Sequence, residues 1–283
     1  VPASSANLGP GYDVMAAALD VWLELEAVET GTLAVECGEP GLPTGRDNLI
    51  VKAFETLHPA DRITFRVKSD IPLTRGMGSS AAAIVAGLVA ADHMFELALE
   101  PGDLLRKAAG LEGHPDNVAA ALVGGFVVCS GEGADLVATR IDPPEGLEGV
   151  LVIPHEPVPT SEARAAIPAE VPVGDAIANA SSAAHLSLGL ARGDYDLIAL
   201  GLGDRLHQDR RAHLFPRSME ILRDARELGA IGATVSGAGP TVLVWAGWQE
   251  TGKVVAALRD RCEGWAEVRR AGFSPLGADV PEL

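Results

Sequence analysis

The small-residue loop Gly76-Met77-Gly78-Ser79-Ser80 runs straight into Ala81–Phe95, fifteen residues made mostly of Ala, Val, Ile and Leu. That stretch is too long for a strand and rich in helix formers, so it predicts a helix buried on nearly all sides. Such a helix must lie under other layers, and the chain is expected to fold as a packed α+β or α/β structure. Leu19, Val21, Leu23 and Leu25 alternate against Asp20, Trp22, Glu24 and Glu26, giving a strand over 16–29 with one buried face. The same habit over Leu33–Cys37, after Thr30-Gly31, suggests a hairpin. Further helices are expected over 48–57, 103–111, 117–122, 176–190, 195–202, 218–228 and 250–263, and further strands over 62–67, 125–129, 149–153, 234–236, 241–245 and 266–270. The run Asp142-Pro143-Pro144-Glu145-Gly146 is the candidate domain boundary, because Pro and Gly gather where elements stop. Beyond it, strands and helices mix on the scale of a small split βαβ layer.

Composition narrows the function. The 283 residues carry 39 acidic and 22 basic side chains, a formal charge of −17 that opposes nucleic acid, whose attraction is largely counterion release by Lys and Arg. It also opposes an anionic membrane surface. Apolar residues make 47% and aromatics only 4%, which favours an enzyme over an aromatic recognition surface. Cys37, Cys129 and Cys262 have neither CxxC nor metal spacing and read as buried thiols of a reducing compartment. No run of 18 apolar residues is free of turn formers and charge, so the expectation is a cytoplasmic protein with no membrane partner. The chain opens on Val1-Pro2 with no Met, and residues ahead of it are expected.

The loop before the long helix carries the chemistry. Glycines let backbone close around a guest, and the helix that follows points unpaired amides into the loop. Ser79 and Ser80 add hydroxyls able to face a phosphate or its magnesium; the alternative is an ordinary turn with Ser79 as helix N-cap. The P-loop pattern GxxxxGK[ST] is absent: the near match at Gly247–Val254 has Val254 where a metal-facing hydroxyl is needed, and reads as a turn and helix start.

Four stretches, VPASSANLGPGYDVMAAAL from Val1, RGMGSSAAA from Arg75, EGHPDNVAAALVGG from Glu112 and VSGAGPTVL from Val235, together resemble the homoserine branch of the GHMP small-molecule kinases. TSEAR at Thr160 and DRLHQDRR at Asp204 are similar to that branch's substrate-binding segments, so the resemblance spans nearly the whole chain. Met77 stands where the family pattern has Leu, and Asp209-Arg210 where the branch commonly has Pro-Tyr. The resemblance implies an α+β, two-domain GHMP kinase fold. Residues 1–145 would form an ATP-binding domain like domain 2 of ribosomal protein S5, with a left-handed crossover, and residues 146–283 a ferredoxin-like domain. It also implies ATP and Mg²⁺, L-homoserine as phosphoryl acceptor in threonine biosynthesis, and a homodimer.

Roles follow from the same resemblance. Arg75, Gly76, Met77, Gly78, Ser79, Ser80 and Ala81 would hold the nucleotide, with Ser80 and Glu112 at the magnesium. Asn48 would recognise nucleotide or else cap the next helix. Arg164 and Arg211 would clamp the substrate carboxylate, Arg211 being preferred to Arg210, and would invert the field locally in an acidic chain. Asp13 would face the ammonium, while Asn7 and Asn117 would contact amine or hydroxyl, Asn7 reading equally as a turn residue. His114 would orient Asp116 or its loop beside the substrate and is not taken as a general base. Thr160 would approach the reacting groups or cap a helix begun by Ser161, and His207 would order its loop. Gly237-Ala238-Gly239-Pro240 resembles the third kinase motif, a turn that brings the second domain against the phosphate loop.

Overall fold

A computed structural model describes residues 1–38 and 41–280. The chain begins with strands β1 (Pro2–Asn7), β2 (Gly11–Glu29) and β3 (Ala34–Cys37), helix α1 (Leu49–Glu55) and strand β4 (Ile63–Ser69). Helices α2 (Ser79–Met94), α3 (Pro101–Glu112) and α4 (Asp116–Val123) follow in succession, then strands β5 (Phe126–Ser130) and β6 (Val137–Ile141). The second half runs β7 (Leu147–Pro154), α5 (Thr160–Ala165), α6 (Val173–Arg192), α7 (Tyr195–Gly201), α8 (Pro216–Asp224), β8 (Gly232–Val235), β9 (Val242–Gly247), α9 (Trp248–Cys262) and β10 (Ala266–Gly272). Among the described residues, no helix is long and apolar enough to cross a membrane.

Two sheets result. The first has the order β3-β4-β2-β5-β6 with β1 also paired to β2, and the second the antiparallel order β10-β7-β9-β8. The hairpin expected between β2 and β3 does not form. β4 lies between them, antiparallel to β2 and parallel to β3. The turn amides of Thr30 and Gly31 donate to Arg62 O ahead of β4, so they cannot close β2 onto β3. Local alternation identified β3 as a strand but carried no information about its partner.

Burial explains the layering. Met15, Ala17, Leu19, Val21 and Leu23 of β2 face a core shared with Leu151, Leu243 and Trp245 of the second sheet. Ala16 and Ala18 point the other way, into a core with Ile84, Val85 and Leu88 of α2. A strand covered on both faces loses its polar alternation, which is why the pattern in the sequence begins only at Leu19. α2 buries Ala81, Ala82, Ile84, Val85, Ala86, Gly87, Leu88 and Ala91, as its all-round apolarity predicts. On the far side, α8 and α9 cover the second sheet through Ile221, Val254 and Leu258.

The chain crosses from one sheet to the other at residues 142–146, between β6 and β7. It also crosses back. After β10, Ser274 N donates to Ala18 O at 2.9 Å, Gly125 N to Ser274 O at 2.8 Å and Ala278 N to Leu122 O at 3.1 Å. The two sheets therefore share a core and a returning strand-like tail.

Candidate active site

A cleft of about 350 Å³ opens where α2 begins, between the first sheet's loops and the second sheet's turn at Gly237-Ala238. Its floor is the N-terminus of α2. Gly78 (φ +68°) is the N-cap, so Ser79 is the first helical residue, not the cap, and neither serine hydroxyl serves to start the helix. The first intrahelical bond runs from Ala82 N to Gly78 O, which leaves the amides of Ser79, Ser80 and Ala81 without helical partners. Ala81 contributes only that amide, its side chain being buried in the core of α2. Gly76 (φ +73°) and Gly78 are required: a Cβ on Gly76 would strike Ser236 O, and one on Gly78 would strike Ser4 Oγ.

Ser80 Oγ donates to Glu112 Oε1 at 2.5 Å. Glu112 is the last residue of α3, which stops because Gly113 turns left-handed at φ +90°. Burial raises the pKa of Glu112, against the lowering by its bond to Ser80. The turn His114-Pro115 then starts α4, placing Asp116 in its first turn. Asp116 Oδ1 faces His114 Nδ1 at 2.8 Å and accepts from Asn117 N, while among the described residues its buried Oδ2 has no hydrogen-bond partner. For His114 burial works against protonation, but Asp116 and Glu112 outweigh it and the net shift is upward. Asn117 Oδ1 accepts from Ser4 Oγ at 2.8 Å.

The opposite wall is built around Tyr12. Arg164, in the last turn of α5, donates Nη2 to Asp13 Oδ1 at 2.7 Å and Nη1 to Asp13 Oδ2 and Tyr12 Oη at 3.0 Å. Arg164 and Arg211 sit 5.6 Å and 5.5 Å from the Tyr12 ring centre. Arg211 is buried, with Nε on Ala163 O, Nη1 on Gly237 O and only Nη2 lacking a protein partner among the described residues. Its placement comes from Asp204, whose carboxylate accepts from the amides of Leu206, His207 and Gln208 and folds that segment inward. His207 Nε2 donates to Gly9 O, so Nδ1 accepts from Arg211 Nη1 at 3.2 Å. Burial lowers the pKa of His207, consistent with that neutral tautomer. Arg210 is exposed and lies near Asp175, outside this wall.

The structure brings together Asn7, Asp13, Arg75, Gly76, Met77, Gly78, Ser79, Ser80, Glu112, His114, Asp116, Asn117, Thr160, Arg164 and Arg211 around one cleft. It corrects several expectations. Of the two readings of Asn48, the cap is the one observed: Oδ1 accepts from Ile50 N at the start of α1, Nδ2 donates to Pro43 O, and the residue lies outside this lining. The Arg75 guanidinium reaches no open anion position, being engaged by the carbonyls of Leu73, Pro154 and His155. Thr160 is not a cap, since Pro159 holds that position, and its side chain stays exposed at the cleft. Asn7 (φ +70°) turns the chain and also bridges, donating to Gly237 O and accepting from Asp13 N. The expected inversion of field is absent, because Asp13, Glu112 and Asp116 stand against Arg164 and Arg211 in the lining, the Arg75 guanidinium being held by backbone carbonyls. Tyr12 was not singled out from sequence; its one signal was a place beside Asp13 in Gly9-Pro10-Gly11-Tyr12.

The GHMP kinases N terminal domain matches residues 48–125 and the GHMP kinases C terminal domain residues 187–265. A homoserine kinase of Thermus thermophilus is 42% identical over 264 residues, covering 91% of this chain and 89% of its own. The chain belongs to the homoserine kinase branch of the GHMP kinases. This GHMP kinase is thus an ATP-dependent kinase. A solved homoserine kinase from Cytophaga hutchinsonii superposes with a TM-score of 0.86 at 28% identity, covering 98% of this chain and 94% of that one. The mevalonate kinase of L. major, solved with R-mevalonate, reaches 0.73 at 18% identity over 98% of this chain and 95% of its own, which shows the shared GHMP fold alone.

Proposed function

We propose that this GHMP kinase transfers the γ-phosphoryl group of ATP to the terminal hydroxyl of L-homoserine, giving O-phospho-L-homoserine and ADP. The carrying observation is the Asp13–Arg164 pair facing the amide-lined end of α2 across one cleft. An amino-acid zwitterion exchanges that pair for two new ones: its ammonium takes Asp13, its carboxylate takes Arg164 and the remaining Nη2 of Arg211. A hydroxy acid without an amine would break the pair and leave Asp13 uncompensated. The relatives named homoserine kinase support the same acceptor.

The free amides of Ser79, Ser80 and Ala81 receive phosphate oxygens at the positive end of α2, where they need no reorganisation during transfer. Glu112 and Ser80 fit magnesium: a hydroxyl and a carboxylate oxygen 2.5 Å apart are hard donors, and a carboxylate whose pKa burial raises is short of a counter-charge. When bound there, the ion would neutralise charge on the phosphate oxygens. Asn117, oriented by Ser4, borders the space between the phosphate floor and the acceptor wall. As the acceptor oxygen bonds the γ-phosphorus, the bond from that phosphorus to the β,γ-bridging oxygen breaks and ADP departs with it, while the hydroxyl proton passes to a phosphoryl oxygen or to solvent; a loose transition state demands little prior deprotonation.

The test is ADP release with Mg-ATP against L-homoserine, L-serine, mevalonate and galactose. Turnover with homoserine far above the others is expected. Turnover confined to an acceptor without an amine would overturn the reading.

A further inference from the structure

We propose that Arg75 couples nucleotide binding to acceptor binding by bolting the phosphate loop to the second sheet; the inference rests on the acceptor assignment above. Arg75 lies immediately before Gly76, yet its guanidinium points away from the helix end. Nε donates to Pro154 O at 2.9 Å, Nη1 to Leu73 O at 2.8 Å, and Nη2 to His155 O. Among the described residues it has no carboxylate within ion-pair distance, although the chain carries 39 acidic residues. A cation held by three backbone carbonyls acts as a geometric fork, a task for which a planar guanidinium is suited and an ammonium is not.

What it holds is informative. Pro154 ends β7, an interior strand of the second sheet, and His155 N is itself fixed to Trp265 O at 3.0 Å. Five residues beyond His155 the chain enters α5, which carries Thr160 and Arg164 into the acceptor wall. The loop that cradles phosphate and the segment that leads to the acceptor wall thus share one anchor. Ser236 Oγ donates to Gly76 O at 2.7 Å and clamps the same loop to the second sheet from its other side. Ordering the loop by one ligand orders the other ligand's wall through these contacts, so the second ligand meets a wall already set.

Homoserine affinity is measured by calorimetry, with and without a non-hydrolysable ATP analogue plus Mg²⁺, in the wild type, Arg75→Ala and Arg75→Lys. Wild type should bind homoserine at least about fivefold more tightly with the analogue present, at the lower end of ordinary allosteric coupling. Both variants should show less than about twofold, with analogue affinity alone changed by less than about threefold and homoserine affinity alone likewise. Arg75→Lys is the deciding variant, because it keeps the charge and loses the fork. Wild-type coupling retained in Arg75→Lys would overturn the proposal and point to a charge effect on phosphate. Loss of analogue affinity alone in Arg75→Ala, restored by Lys, would overturn it in favour of a direct phosphate contact. A wild type that binds the analogue but no homoserine would overturn both this inference and the acceptor assignment. Melting temperatures of all three proteins, read alongside, keep an unfolded Arg75→Ala from being taken for an uncoupled one, and the Lys variant then carries the test.

Discussion

At the scale of single residues, the two arginines of the acceptor wall differ in what they hold. Arg164 is about a third exposed and bonds side chains, Asp13 and Tyr12. Arg211 is 1% exposed and bonds the backbone carbonyls of Ala163 and Gly237. Arg164→Ala should therefore raise the KM for homoserine at least about tenfold, the worth of a charged hydrogen bond, with little change in stability. Arg211→Ala should also raise that KM but cost roughly 1–3 kcal/mol of stability, because the buried Ala163 carbonyl loses its donor while Gly237 O keeps the Asn7 amide. Urea titration of both variants checks the contrast; equal midpoints would show that the Arg211 carbonyl bonds are not structural. The sequence named both arginines but ranked them alike. Exposure is set by what packs over a residue, and the segment 204–211 turns inward only because Asp204 gathers its amides.

At the scale of elements, α2 explains why the glycine loop was legible. Its apolar length, its left-handed N-cap and its two serines are all written locally, and Gly78 takes a backbone angle that only glycine adopts without strain. Gly78→Ala should lower kcat/KM for ATP by about 100-fold, the effect of a misplacement near 1 Å, because the new Cβ meets Ser4 Oγ and displaces the amides. Steady-state kinetics with ATP varied decides it; a value within threefold of wild type would remove the α2 N-terminus as the phosphate floor. Ser4 also orients Asn117, so the acceptor side should be disturbed as well. What local pattern did not carry was the partner of β3, which pairs with β4 and not with β2. A period of two announces a strand, but the partner depends on which other strand reaches its edge, and β4 arrives after a helical excursion through α1.

At the scale of the whole molecule, the halves unfold as one unit if the shared core is what joins them. Phe273 lies between the sheets, 4.7 Å from the Phe126 ring and 5.1 Å from Trp245, and pairs with Leu19. Phe273→Ala should cost about 3–5 kcal/mol, as large-to-small changes do in a packed core, and leave a single unfolding transition by both fluorescence and circular dichroism. Two separated transitions in the wild type would show that each sheet is an independent unit. The sequence by itself determined the buried helix, the phosphate loop, nearly every element of the second half and the residue types of the site, because each depends on neighbours within a turn or two. Tertiary structure alone decided the rest. It placed β4 between β2 and β3, returned the tail after β10 to the first sheet, and held the Arg75 guanidinium on the carbonyls of Leu73, Pro154 and His155. It also set three carboxylates against Arg164 and Arg211 in a cleft where an inverted field was expected. In each case the outcome depends on groups distant in sequence competing for one hydrogen-bonding edge or one charge, and no local pattern encodes which of them wins.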